Sequence, residues 1–292
     1  ASGPAAPGVL GFLSPPQASR QGGTQVTATG QLAQGFAAQQ ASGDGTGLVT
    51  CAHPDSDEWF VGTGTQAGGS TSQLYLMNTG AITASVDVTV LTDAGVQSGP
   101  GDEVTVPPHQ NVSVNLASRA GGSTVLAVHV QTSAGQVTAD VWQNGGSGGA
   151  WLPEAEPPAT RMVLPGVTAQ GGPAKLLVAV PGGQDAQLRV SALTARGTTE
   201  PLGAQEAPAG ASSSFPLNSL GGSAAALVVT SNVPVTAGVQ DPGSGIGGFT
   251  AASAPLTGQG VVAGNPSGGG DAVGLVLSAP GAPARAEITV LG

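Results

Sequence analysis

The sequence is poor in charge, lysine, cysteine and aromatic rings, and each shortage excludes something. Lys175 is the only lysine, and 7 basic residues face 17 acidic ones, for a net charge of −10. No basic patch can neutralise phosphates, which excludes nucleic-acid binding. The same deficit excludes attraction to an anionic membrane surface. Charged residues make up only 8% of the chain. That is too few for a charge-expanded disordered chain, and too few for a helical bundle rich in Glu, Lys and Arg. Cys51 stands alone, so no disulfide forms within the chain and a four-ligand zinc site is excluded. The longest apolar runs, Leu176–Val180 and Ala224–Val229, are far shorter than the roughly 18 residues of a membrane span. The first residues carry no charged-then-apolar targeting pattern, and a segment removed upstream of residue 1 is compatible with that.

What is present is Gly, Pro and short alternating apolar runs. The 292 residues include 49 Gly and 23 Pro, mostly between segments of ordered pattern. Val86, Val88 and Val90 alternate with Asp87 and Thr89. Val112, Val114 and Leu116 alternate with Ser113 and Asn115, and Val137, Ala139 and Val141 with Thr138 and Asp140. Period two marks half-buried strands, and the Gly-rich clusters between them mark turns. The spacing predicts an all-β protein of short strands. Residues 1–22, with four prolines, read as a tail or linker whose removal leaves the melting temperature unchanged.

The strands also repeat. Val137, Ala139 and Val141 correspond to Val235, Ala237 and Val239, 98 residues later. Val86, Val88 and Val90 correspond to Leu188, Val190 and Ala192 at an offset of 102, and then to Ala286, Ile288 and Val290 at a further 98. Arg161–Gly166 takes the place of Leu48–Cys51 and of Gly260–Gly264. A unit of about 100 residues suits a seven-stranded sandwich. The expected fold is therefore tandem immunoglobulin-like or fibronectin-like β-sandwich modules. Counted from Gln31, the third unit lacks its last strands, and Thr24–Gly30 resembles the end of a unit. Either the N-terminal strand completes the C-terminal unit and closes the molecule on itself, or the boundaries are shifted. We adopt the second, with modules at 23–160 and 161–292. Residues 256–292 then hold the opening strands of an incomplete further unit.

Few residues suggest chemistry. Between Cys51 and Phe60, the carboxylates Asp55, Asp57 and Glu58 lie beside His53, an oxygen-rich candidate for a cation such as calcium. Trp59 stands where an EF-hand needs a further ligand, so an acidic turn anchored by Trp59 and Phe60 is the plainer reading. His53, His109 and His129 are the only histidines, and no Gly-x-Ser-x-Gly elbow accompanies them. The Gly62–Ala67 match to a dinucleotide fingerprint lacks its helix, so no cofactor is expected. Trp142 falls on the polar face of its strand with Asp140, and Trp151 follows a Gly-rich loop near Glu154 and Glu156. These tryptophans are expected to plug the seam between modules; the alternative is a ligand or partner surface. Cys51 reads either as a buried inert thiol or as one half of a bond to a cysteine outside this segment.

The stretches Gly30–Gln40, Cys51–Phe60, Leu74–Gly80, Val104–Pro108, Trp151–Pro153 and Val163–Gly166 resemble an actinobacterial family of secreted or membrane-anchored proteins of undefined function. The resemblance covers most of residues 25–292. It implies an N-terminal membrane anchor and linker upstream, an upstream cysteine for Cys51, and work in the cell envelope. It carries no catalytic residues. The expectation is an extracytoplasmic protein that binds or scaffolds an envelope protein and does not catalyse. The first rival is a carbohydrate-binding module reading envelope glycans through Trp142, Trp151 and Asp140. The second is a hydrolase with its site between modules.

Overall fold

The computed structural model describes residues 23–30, 37–41, 48–65, 71–99, 101–145, 148–167, 174–217, 220, 225–241, 248–258, 260, 275–281 and 284–289. Residues 1–22 lie outside them. The fold is nearly all β. An N-terminal hairpin joins β1 (Gln39–Ala41) to β2 (Leu48–Thr50). The first half then runs β3 (Asp57–Thr63), β4 (Thr71–Asn78), β5 (Ala84–Thr92), β6 (Gly95–Gln97), β7 (Glu103–Val106), β8 (Gln110–Asn115), a single helical turn α1 (Ala117–Ala120), β9 (Val125–Ala134), β10 (Thr138–Gly145), β11 (Gly148–Leu152) and β12 (Glu154–Ala155). The second half runs β13 (Ala159–Val167), β14 (Ala174–Val180), β15 (Ala186–Thr194), β16 (Gly197–Ala207), β17 (Ala211–Leu217), β18 (Ala225–Asp241) and β19 (Gly248–Ala251).

The first half has two sheets, ordered β11-β10-β4-β8 and β12-β3-β9-β5-β6, with β7 also on β5. Alternation explains both. In β4, Leu74 and Leu76 are fully buried while Gln73 and Tyr75 are partly exposed; in β5, Val86, Val88 and Val90 point inward while Ser85 and Asp87 are exposed. The inward sets of the two sheets meet in one core with Phe60, Leu126, Val128, Val137, Ala139 and Val141. Burying each such side chain contributes roughly 1.5–3 kcal/mol, an upper figure because unfolded chains are partly collapsed.

In the second half β18 serves both layers. Its first part pairs with β13 and β15, and its second with β14 and β19; β16 extends β15 and β17 extends β14. Leu176, Val178, Leu188, Val190, Leu227, Val229, Val235 and Val239 fill its core.

A third apolar cluster joins the halves. Trp59, Val61, Leu91, Val125, Ala127 and Ala155 from the outer face of the β3–β9–β5 sheet pack on Leu177, Ala179 and Ala251 from the outer face of the β14–β18–β19 layer. Ser212 Oγ donates to Leu91 O (3.2 Å) and Thr236 Oγ1 to Glu156 O (3.0 Å) across this joint. Gly238 stands so close that a Cβ there would lie 3.1 Å from Val61 O.

Two expectations are corrected. The seam is filled by Trp59, not by Trp142 and Trp151, which lie on the opposite sheet of the first half. The strand paired as β13 is paired is β3, which meets β9 as β13 meets β18, so Leu48–Cys51 is not its counterpart. In 256–292 no strand is formed among the described residues, where Leu275, Leu277 and Ile288 are exposed; most of that stretch lies outside the described residues. Val290 and Gly260–Gly264, apart from Gly260, lie outside the described residues.

Candidate functional site

The most chemically distinctive surface is the outer face of the β11-β10-β4-β8 sheet. Register sets Trp142 of β10 opposite Trp151 of β11, and Asp140 opposite Tyr75 of β4. Period two puts all four on the face away from the core. The Trp142 and Trp151 rings meet edge to face, with centroids 5.0 Å apart at 65°; Tyr75 lies 5.7 Å from Trp151 at 59°. Such tilted pairs are the favoured geometry for aromatic quadrupoles. The Trp142 indole leans across the next strand onto Gly149, where a Cβ would sit 2.2 Å from the ring. A glycine in the strand therefore makes the bed for the ring, an exchange of strand propensity for aromatic cover. At the other end of the sheet, Gly23 sits against Met77 with no room for a side chain. The structure thus brings Trp142, Trp151 and Asp140 onto one face. Tyr75 joins them, and only cross-strand register shows that it does.

Behind this face is an acidic edge. The chain leaves β11, passes Pro153 and enters β12, where Glu154 pairs with Phe60, so the run crosses from one sheet to the other. Glu58 points inward from β3 and is 2% exposed. The Ala139 N–H donates to its Oε2 (2.9 Å), while its Oε1 has no partner. Burial, with Glu154, Asp140 and Asp55 nearby, pushes Glu58 up to about 8; the one backbone donor only offsets this. Burial and Glu154 push Asp140 up to about 7. Glu154 is raised as well, by burial first and then by Asp55 and Glu156. Like charges close together disfavour one another's ionised form, and burial adds to this at Glu58 and Asp140.

The candidate cation ligands do not converge. Glu58 is committed to Ala139, Asp57 Oδ1 meets His129 Nε2 at 2.9 Å, and Asp55 Oδ1 accepts from the Ser56 N–H at 2.6 Å. Among the described residues no three of His, Cys, Asp and Glu are placed to hold a metal ion. His129 also stacks flat on Trp59 (4.0 Å, 10°), so it rims the joint. His53 is exposed, and His109 occupies a turn at φ 56° after Pro107 and Pro108. Cys51 is exposed, which corrects the expectation of a buried thiol; its pKa is raised, by partial desolvation first and by Asp140 second.

Two polar groups inside the first half escaped the sequence reading. Gln143 bridges the sheets: its Oε1 accepts from Thr63 N (3.1 Å) and its Nε2 donates to Ser72 Oγ (2.9 Å). Arg119 of α1 is 4% exposed; its Nη1 donates to Asp102 Oδ1 (2.6 Å) and to Val88 O (3.0 Å).

Residues 16–292 match the family of unknown function DUF5719, and the chain belongs to that family. No curated protein matches it.

Proposed function

We propose that the chain is an extracytoplasmic scaffold of the cell envelope that binds a protein partner and does not catalyse. In this reading it is built of tandem immunoglobulin-like modules repeating at about 100 residues, as in seven-stranded sandwiches. The pairing supports the repeat. β4 lies between β10 and β8, and β14 lies between β18 and β17; β9 lies between β3 and β5, and β18 between β13 and β15. The single observation that carries the scaffold reading is the dry joint around Trp59, Leu91, Leu177 and Ala179. It is made by stacking one half's outer sheet face on the next half's. Proteins that join modules by sheet faces present further faces of the same kind to partners.

The test is capture from solubilised envelope of the source organism, followed by cross-linking to identify which residues touch the retained protein. A specific protein cross-linked to an outer sheet face supports the reading. No retained protein overturns it.

A second reading has its own observation. Tyr75, Trp142 and Trp151 lie together beside Asp140, the ring-and-carboxylate set that recognises sugar rings. Glycan-array binding that is lost in Trp142→Ala with the fold intact supports it. An array with no binding removes it.

A further inference from the structure

The N-terminal hairpin has the register of two other hairpins. Gln39 faces Thr50 and Ala41 faces Leu48. Residues 102 further on, Val141 faces Leu152 and Gln143 faces Ala150. Another 98 on, Val239 faces Thr250. In both later hairpins the first strand has a second neighbour: β10 is flanked by β4, and β18 by β14. Among the described residues β1 has none. By the repeat, the strand expected beside it is one like β14.

The chain contains a segment of matching pattern that forms no strand among the described residues. Leu275–Ser278 stands 98 residues after Leu177–Val180 of β14. Leu275 is 59% and Leu277 56% exposed, and Ile288, 98 after Val190, is 59% exposed. These are apolar positions of alternating pattern that a completed sheet would bury.

Gly23 and Pro280 already lie against the faces that a third module would touch. In the joint, Leu177 and Ala179 are the contact residues of the second half. Their counterparts 102 residues earlier are Tyr75 and Met77, on the aromatic face. Gly23 of the N-terminal run packs on Met77. At the other end, Arg161 Nη2 donates to Pro280 O (3.4 Å) and the Ser253 N–H to Val163 O (3.0 Å), both along β13 on the outer sheet of the second half. That sheet is the counterpart of the one that carries Trp59.

We propose that Leu275–Ser278 is the missing neighbour of β1, so that the two ends of the same chain build a third module. This replaces the shifted boundaries expected from the sequence with a molecule that closes on itself, and the third module sits on the Tyr75–Trp142–Trp151 face. The register follows from β14: Leu177 faces Gly238, and Gly238 stands 200 residues after Ala38, so Leu275 faces Ala38. The inference rests on the repeat put forward above and takes the aromatic face away from glycans.

Cys51 provides the probe. Its N–H donates to Ala38 O (3.0 Å), so it sits one strand beyond Ala38 and two strands from Leu275. Two strand spacings are about 10 Å. Leu275→Cys in the full chain, treated with a short bismaleimide, is expected to link to Cys51 within one chain. The link should form at least about tenfold faster than in the control Ile82→Cys, at a residue 64% exposed on the first half. Linking no faster than the control, or only between two chains, overturns the proposal. The double variant Leu275→Asp with Leu277→Asp reads the seating. Acrylamide quenching of tryptophan fluorescence should rise about twofold as Trp142 and Trp151 open, and unchanged quenching overturns the placement on that face. A failed envelope capture with a successful intramolecular link would remove the partner reading and leave this one standing.

Discussion

Glu58 holds a carboxyl where water cannot reach it, and a protein pays for that with pH sensitivity. Its folded pKa of about 8 lies above the ordinary carboxyl value of 4.5. Below pH 4.5 both folded and unfolded forms carry the proton and nothing is lost. Between 4.5 and 8 the unfolded chain releases the proton while the folded one keeps it, so stability falls as pH rises through that window. The melting temperature is expected to drop from pH 5 to pH 8. Glu58→Gln, which keeps an acceptor for the Ala139 N–H, should flatten the drop and stabilise the protein at pH 8 by a few kcal/mol, on the order of the linkage energy. Parallel thermal melts at both pH values check this; identical slopes in the two proteins would show that Glu58 is not the buried acid. Arg119 makes the opposite case, a buried charge that is paired. Burial lowers its pKa and Asp102 raises it again. Arg119→Ala leaves Val88 O and the Asp102 carboxylate without their partner, and should cost about 3 kcal/mol in a denaturant titration. Neither residue announced itself in the sequence. Glu58 read as one more acid in an acidic turn, and only the neighbouring Val61-to-Asp57 strand, which turns every second residue inward, shows that it faces Ala139.

At the scale of elements, the hairpin β10–β11 depends on one glycine. Gly149→Val puts a branched Cβ where the Trp142 ring lies. The ring must swing out, the Trp142–Trp151 contact is lost, and the expected readouts are a red shift in emission and about 1–2 kcal/mol of destabilisation. Unchanged emission would mean the indole does not rest on β11. The alternation of β5, β8 and β10 was legible because one face meets a core and the other does not; Val86, Val88, Val137 and Val141 needed no partner to declare their side. The aromatic set was half legible. Trp142 fell on the polar face by counting, but Tyr75 reaches the set only through pairing with a strand more than sixty residues away. The acidic edge was less legible still. Glu154 and Asp140 meet because the chain changes sheets at Pro153, and a change of sheet leaves no periodic mark.

At the scale of the whole molecule, the joint was the hardest feature to read and is the easiest to test. A strand's outer face looks alike in sequence whether it meets water or another sheet, so the sequence points to Trp142 and Trp151 for the seam and leaves Trp59 as the anchor of an acidic turn. The packing assigns Trp59, Leu91 and Leu177 to the joint instead, apart from either internal core. That separation makes a selective variant possible. Leu177 is fully buried, and its side chain points at the other half and not into its own core. Leu177→Asp places a charge in a dry joint and leaves Leu176 and Val178 in place, so each half keeps its own core. The coupling between halves should fall by several kcal/mol, the cost of burying an unpaired charge or of opening the joint to hydrate it. Calorimetry is the measurement. The wild type is expected to melt in one transition because the joint makes each half's stability depend on the other. The variant is expected to melt in two, with the lower one displaced downward by several degrees. A variant that still melts in one transition at the wild-type temperature would mean that the halves are independent of the joint, and the stacking of sheet faces would lose its energetic role.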